Sequence, residues 1–97
     1  SNQPEIEDVA LHASRAFGVP KRVTLSASRQ KRVVRARAAT MHYCTEHLGM
    51  TLPAVAEYFG VDHTTVLYHR DRHEDRFQEE EGYALGYDQM RRSLLGR

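Results

Sequence analysis

Apolar residues recur along this chain at spacings of three and four, the period of helices that bury one face. Ile6, Val9, Ala10, Ala13 and Phe17 open the series, with Glu5, Glu7 and Asp8 in a first turn where the helix dipole favours acids. Gly18 is placed for a left-handed cap, and Pro20 discourages continuation. Residues 20–32 predict irregular chain with at most one short turn of helix near Leu25. A second long helix is predicted from Lys31 to Leu48, with Val34, Ala38, Met41, Thr45 and Leu48 as its stripe and Gly49 as its stop. Leu52, Val55, Ala56 and Phe59 then predict a short helix capped by Thr51, with Pro53 tolerated in its first turn. Gly60 ends that helix, and Asp62 caps the next, which runs from His63 to Phe77 or Glu81. A last helix around Ala84–Leu95 places Tyr83, Tyr87, Met90 and Leu94 on one side. No segment alternates as a strand. The expectation is a single all-α domain over residues 1–97 with five or six helices, Ser1 and Asn2 being set aside as an expression remnant.

Composition narrows the class. Ninety-seven residues suffice for one modest core. The lone Cys44 excludes an internal disulfide framework and suits a reducing compartment. No apolar run approaches the roughly 20 residues of a membrane span, and the expected location is the cytoplasm. The net charge of +1 conceals a strong polarity. Between Pro20 and Met50, Lys21, Arg22, Arg29, Lys31, Arg32, Arg35 and Arg37 face Glu46 alone. Between Asp71 and Glu81, six acids face Arg72 and Arg76. The basic block fits a polyanion or a solvated loop equally well. Arginines at a helix start oppose the dipole, so helix stability does not explain Arg32, Arg35 and Arg37; a nearby anion does.

The segment Thr51–Val66 carries the chemistry. Two helices around a tight turn, the second opening on Asp62, His63, Thr64 and Thr65, form the pattern by which a helix-turn-helix presents polar groups to the major groove. Aspartate accepts from a cytosine amine, histidine donates or accepts, and threonine offers a hydroxyl and a methyl. Phe59-Gly60 followed by Asp62-His63-Thr64-Thr65-Val66 resembles the Phe-Gly-Gly-Arg-Asp-His-Thr-Thr-Val signature of the C-terminal DNA-binding domain of the bacterial replication initiator DnaA. Thr51-Leu52-Pro53 is similar to its Ser-Leu-Pro helix start, and Arg29–Met41 to its basic loop and following helix. The resemblance runs from Ile6 to about Leu94.

The resemblance implies a Trp-repressor-like helical fold and double-stranded DNA as partner, in replication or transcription control at the bacterial nucleoid. It implies base contacts by Arg29 in the minor groove and by Leu52, Pro53, Asp62, His63 and Thr64 in the major groove. Lys31, Arg32, Arg35, Arg37, Thr45, Thr51 and Thr65 are the expected phosphate contacts. Three departures stand out. Val61 alone replaces the Gly-Arg pair, Ala38 replaces a glutamine, and Thr45 stands where a lysine often occurs. No Gly-x-x-x-x-Gly-Lys-Ser/Thr loop is present, so these residues bind no ATP in that manner and no cofactor is expected. A free-standing relative and an excised domain both fit.

Other chemistry has little support. His69 and His73, and Cys44 with His47, have chelating spacings, but no second cysteine and no His-Glu-x-x-His accompany them. The two helix histidines read as covering the core edge, Cys44 and Tyr43 as buried, and Tyr58 or Tyr68 as a hydroxyl for the DNA backbone. Adjacent Asp62, His63 and Thr64 at a helix start cannot form a catalytic triad, so an enzyme is not expected. The acidic 71–81 segment is a solvated helix end or a site for a protein partner. The rival function is a protein-interaction adaptor that keeps the fold without DNA readout.

Overall fold

In the computed structural model residues 3–96 are described; Ser1 and Asn2 lie outside the described residues. Six helices follow one another: α1 (Ile6–Phe17), α2 (Lys21–Thr24), α3 (Lys31–Glu46), α4 (Leu52–Phe59), α5 (His63–Glu79) and α6 (Glu81–Leu95). The protein is all-α, with no strand among the described residues. Local chemistry sets most of the boundaries. Glu5 caps α1 in a reciprocal capping box with Asp8, whose carboxylate accepts the Glu5 N–H at 3.0 Å. Gly18 ends α1 at φ 71°, a conformation that side chains with a Cβ rarely adopt. The short turn expected near Leu25 is α2, fixed to α1 by a buried Ser14–Thr24 hydroxyl pair at 2.7 Å.

The buried face of α3 differs from the expected stripe. Val33, Ala36, Ala39, Thr40, Tyr43 and Cys44 are buried together with Ala38 and Met41, whereas Val34, Thr45 and Leu48 are half-buried. The reason is that α1, α2, α4 and α5 all pack on α3, so it is covered nearly all round. The helix also stops at Glu46 rather than Leu48. The Leu48 N–H bonds back to the Tyr43 carbonyl at 3.3 Å and the Met50 N–H to that of Cys44 at 3.0 Å, which turns the chain towards α4. Cys44 is buried, and desolvation pushes its thiol up to about 12.

The last helix closes the core. α6 begins at Glu81, earlier than its apolar pattern suggests, because Glu80 in an extended conformation is at once the end of α5 and the cap of α6. Tyr83, Tyr87, Met90 and Leu94 are buried as the spacing predicts. Gly86 is buried as well, for a reason invisible in periodicity. A Cβ on Gly86 would lie 2.3 Å from Cε1 of Phe17, so α1 and α6 approach this closely only because the side chain is absent.

A stacked imidazole pair joins α3, α5 and α6. The rings of His42 and His73 lie 3.4 Å apart and nearly parallel. His42 Nδ1 is hydrogen-bonded to the Tyr87 hydroxyl at 2.8 Å, and His73 Nδ1 to that of Tyr83 at 2.7 Å. Desolvation, then the neighbouring His73, His47 and Arg70, push His42 down to about 3. Desolvation leads the lowering of His73 too.

Two predictions follow from this packing. Gly86→Ala should lower stability by about 1–3 kcal/mol through overpacking; a urea midpoint equal to the parent's would show that Phe17 yields freely. Because the stacked histidines are neutral when folded but take up protons near pH 6.5 when unfolded, unfolding binds protons in acid. Stability should therefore fall steadily as the pH drops from 6.5 towards 4, and a midpoint flat across that range would contradict buried neutral imidazoles.

Candidate nucleic-acid interface

The helix-turn-helix is built from α4 and α5. The Thr51 hydroxyl accepts the Ala54 N–H at 3.2 Å, which starts α4 and leaves the hydroxyl hydrogen free to donate elsewhere. Gly60, at φ 66°, turns the chain out of α4. Its N–H reaches the Glu57 carbonyl at 3.2 Å, and the Val61 N–H reaches that of Ala56 at 3.0 Å. Val61 packs against the core, so the single residue that replaces the Gly-Arg pair completes the helix end. Asp62 then caps α5. Its Oδ1 accepts both the Thr64 N–H and the Thr64 hydroxyl at 2.9 Å, and these bonds, with His63 adding attraction, hold the Asp62 carboxyl below its usual range. Thr64 therefore faces a ligand as an acceptor and a methyl group rather than as a hydroxyl donor.

A second element lies between α2 and α3. The loop through Ser26–Gln30 is folded on its own serines: the Ser28 N–H bonds to Ser26 Oγ at 3.2 Å, and the Gln30 N–H to Ser28 Oγ at 3.3 Å. Arg37 on α3 fastens it from beneath. Its Nη1 donates to the carbonyls of Thr24 at 3.3 Å and Ser26 at 2.5 Å, and its Nη2 donates to that of Ser28. The planar guanidinium suits this task because its donors diverge from one rigid fork. Arg29 stands exposed at the head of the loop.

The two elements meet across a groove of about 500 Å³. Ala27 and Arg29 line it from the loop, Val61 from the turn, and Thr65, Tyr68 and His69 from α5. Of the remaining expected base contacts, Pro53, Asp62, His63 and Thr64 are exposed, and Leu52 is half-buried against the core. His63 Nδ1 lies 3.4 Å from Asp62 Oδ1. Among the expected phosphate contacts, Lys31, Arg32 and Thr51 are exposed and Thr65 is half-buried. Three others have partners within the chain. Arg35 pairs with Glu80 at 3.1 Å, Arg37 holds the loop, and the Thr45 hydroxyl donates to the Met41 carbonyl at 2.9 Å. Tyr58 bonds through its hydroxyl to Glu7, not outward.

His73 is not paired with His69. It stacks on His42, and no three His, Cys, Asp or Glu among the described residues are grouped so as to hold a metal. The loop-holding role of Arg37 left no sequence signal, because its partners lie 9 to 13 residues away across an irregular segment. Of the two tyrosines expected to offer a hydroxyl outward, Tyr68 lines the groove, three residues beyond Thr65 on the same helical face; His69, read as covering the core edge, lines it too.

A short brace helix, a three-residue link, an exposed polar helix start and a basic loop beside it define a DNA-binding domain of the helix-turn-helix class. Residues 6–72 match the family described as the bacterial dnaA protein helix-turn-helix, and the chain belongs to that family. It is similar to the chromosomal replication initiator protein DnaA of Picosynechococcus sp., at 38% identity over 71 residues, which is 71% of this chain and 16% of that protein. The DnaA of Caldanaerobacter subterraneus subsp. tengcongensis is 27% identical over 71 residues, covering 73% of this chain and 16% of that protein. The DnaA of Synechococcus sp. is 38% identical over 53 residues, covering 54% and 11%. The chain therefore spans only about a sixth of the length of the first two relatives. The family match stops within α5, short of the Leu94 to which the sequence resemblance was extended, so α6 lies beyond it. Among the described residues no helix is long and apolar enough to cross a membrane.

The loop geometry separates two effects of Arg37. Arg37→Lys keeps the charge but loses the fork, and should speed amide exchange of residues 26–30 about as much as Arg37→Ala does. Unchanged exchange in both variants would show that the loop holds itself.

Proposed function

We propose that this domain binds duplex DNA sequence-specifically, as part of replication or transcription control. The observation that carries the reading is that Arg29 and the start of α5 flank one groove on one face of the molecule. A side chain reaching the minor groove and a helix entering the adjacent major groove must straddle a single sugar-phosphate strand, and this spacing supplies the saddle. In this reading Arg29 takes the minor groove, where narrow A·T-rich segments attract arginine. Asp62, His63 and Thr64 read base edges, with Leu52 and Pro53 against base methyls. Lys31, Arg32, Thr51 and Thr65 grip the flanking phosphates. Arg37 serves through the loop it fixes, and Arg35 reaches a phosphate only by giving up Glu80.

The adaptor reading draws less support. It gives no reason for an exposed Asp62–Thr64 helix start beside clustered cations. The acidic segment that would meet a partner is also partly engaged, with Asp71 near Arg70, Asp75 near Arg72 and Glu80 on Arg35. That DnaA proteins initiate chromosomal replication supports the replication branch of the proposal.

Selection of bound sequences from a randomised duplex pool gives the cognate site. On it, His63→Ala or Thr64→Ala should cost about 1–3 kcal/mol while leaving affinity for random duplex nearly unchanged. Equal loss on both DNAs would rule out base readout by this turn.

A further inference from the structure

Tyr68 is 55% exposed, although large aromatic side chains elsewhere in the chain are mostly covered. It does not drift free. The Arg76 guanidinium lies over its ring, 5.9 Å from the centroid. The same guanidinium donates from Nη1 to Nδ1 of His69 at 3.0 Å. Arginine is always protonated and can only donate, so His69 Nδ1 is the acceptor and the ring hydrogen sits on Nε2. Burial, then Arg76 and Arg37, push His69 down to about 4, which keeps it a neutral N–H donor at neutral pH. One half-buried arginine thus orders two neighbouring side chains, one carrying a phenolic O–H and the other an imidazole N–H. Both line the groove between the basic loop and α5, one turn beyond Thr65.

We propose that Tyr68 and His69, oriented by Arg76, form a neutral two-donor grip on the sugar-phosphate strand that passes between the minor groove held by Arg29 and the major groove entered by α5. The inference rests on the DNA-binding reading above and deepens it. Charge complementarity selects the occupant, because the groove opens beside Arg29 within a segment rich in Lys and Arg. Tyr68 and His69 are contact residues; Arg76 is a positioning residue. Neutral donors add hydrogen bonds without displacing condensed cations. They therefore contribute affinity that salt does not erode, unlike the contribution of Lys31 or Arg32.

The test uses the intact chain and duplexes carrying the selected site, with single phosphates replaced by neutral methylphosphonates. Tyr68→Phe and His69→Ala should each weaken binding to selected and random duplexes alike, by about 3- to 10-fold, with the slope of affinity against salt unchanged. One methylphosphonate position should weaken the parent but add nothing further in Tyr68→Phe. Arg76→Ala should reproduce both losses with Tyr68 and His69 in place, whereas Arg76→Lys should recover little, because ammonium lacks the fork. Tyr68→Phe leaves the ring in place, so its fold can be verified by an unchanged melting curve. Parent-level binding by a folded Tyr68→Phe protein together with His69→Ala overturns the inference alone. A changed sequence preference in these variants overturns it too, since it would place the two side chains at base edges. If the parent binds no duplex at all, both this inference and the reading beneath it fall.

Discussion

Ala36, Ala38 and Ala39 lie fully buried in α3 because four other helices close around it. That crowding is the constraint on which the rest of the molecule depends. Small side chains let neighbouring backbones approach, and a helix covered on most sides has little freedom to shift. From this fixed helix, Arg37 reaches down to the carbonyls of Thr24, Ser26 and Ser28, and His42 reaches across to His73 on α5. The basic loop and the recognition helix are thus both referred to the same rigid element. Their separation sets the span of the groove, so its two walls form a preformed saddle rather than two independent mobile parts.

The polar groups divide into those spent inside and those presented outward. Arg35 and Arg37 look from composition like two cations of a basic surface, yet one is neutralised by Glu80 and the other is committed to backbone carbonyls. Arg29, Lys31 and Arg32 stand exposed to solvent. Histidines divide the same way. His42 and His73 are neutral structural groups wedged against tyrosine hydroxyls, His63 stands exposed at the helix start, and His69 is held neutral on the groove wall. A count of charges or histidines along the chain cannot separate these roles, because each depends on what lies across space.

Val61 illustrates how a departure from a family pattern is absorbed. The link between α4 and α5 is shorter by one residue and lacks an arginine, yet the hydrogen bonds from Gly60 and Val61 satisfy the end of α4 and the Val61 side chain joins the core. The turn keeps its function as a connector while giving up a cation. The shorter link thus still joins a closed end of α4 to the Asp62 cap of α5.

Local sequence sets where the helices form, the ends of α1 and α4 and the start of α5. Periodic apolar residues, Gly18, Gly60, Thr51, Pro53 and Asp62 act within a few residues of where they stand, so their effect is written locally. The family signature was legible for the same reason, since Asp62-His63-Thr64-Thr65 is contiguous. The width of the buried face of α3, the need for Gly86 beneath Phe17, the His42–His73 stack and the loop clamp of Arg37 were decided only by tertiary structure. Each joins residues far apart in the chain through contacts of a few ångströms. No local pattern encodes such a distance; only the packing of helix on helix creates it.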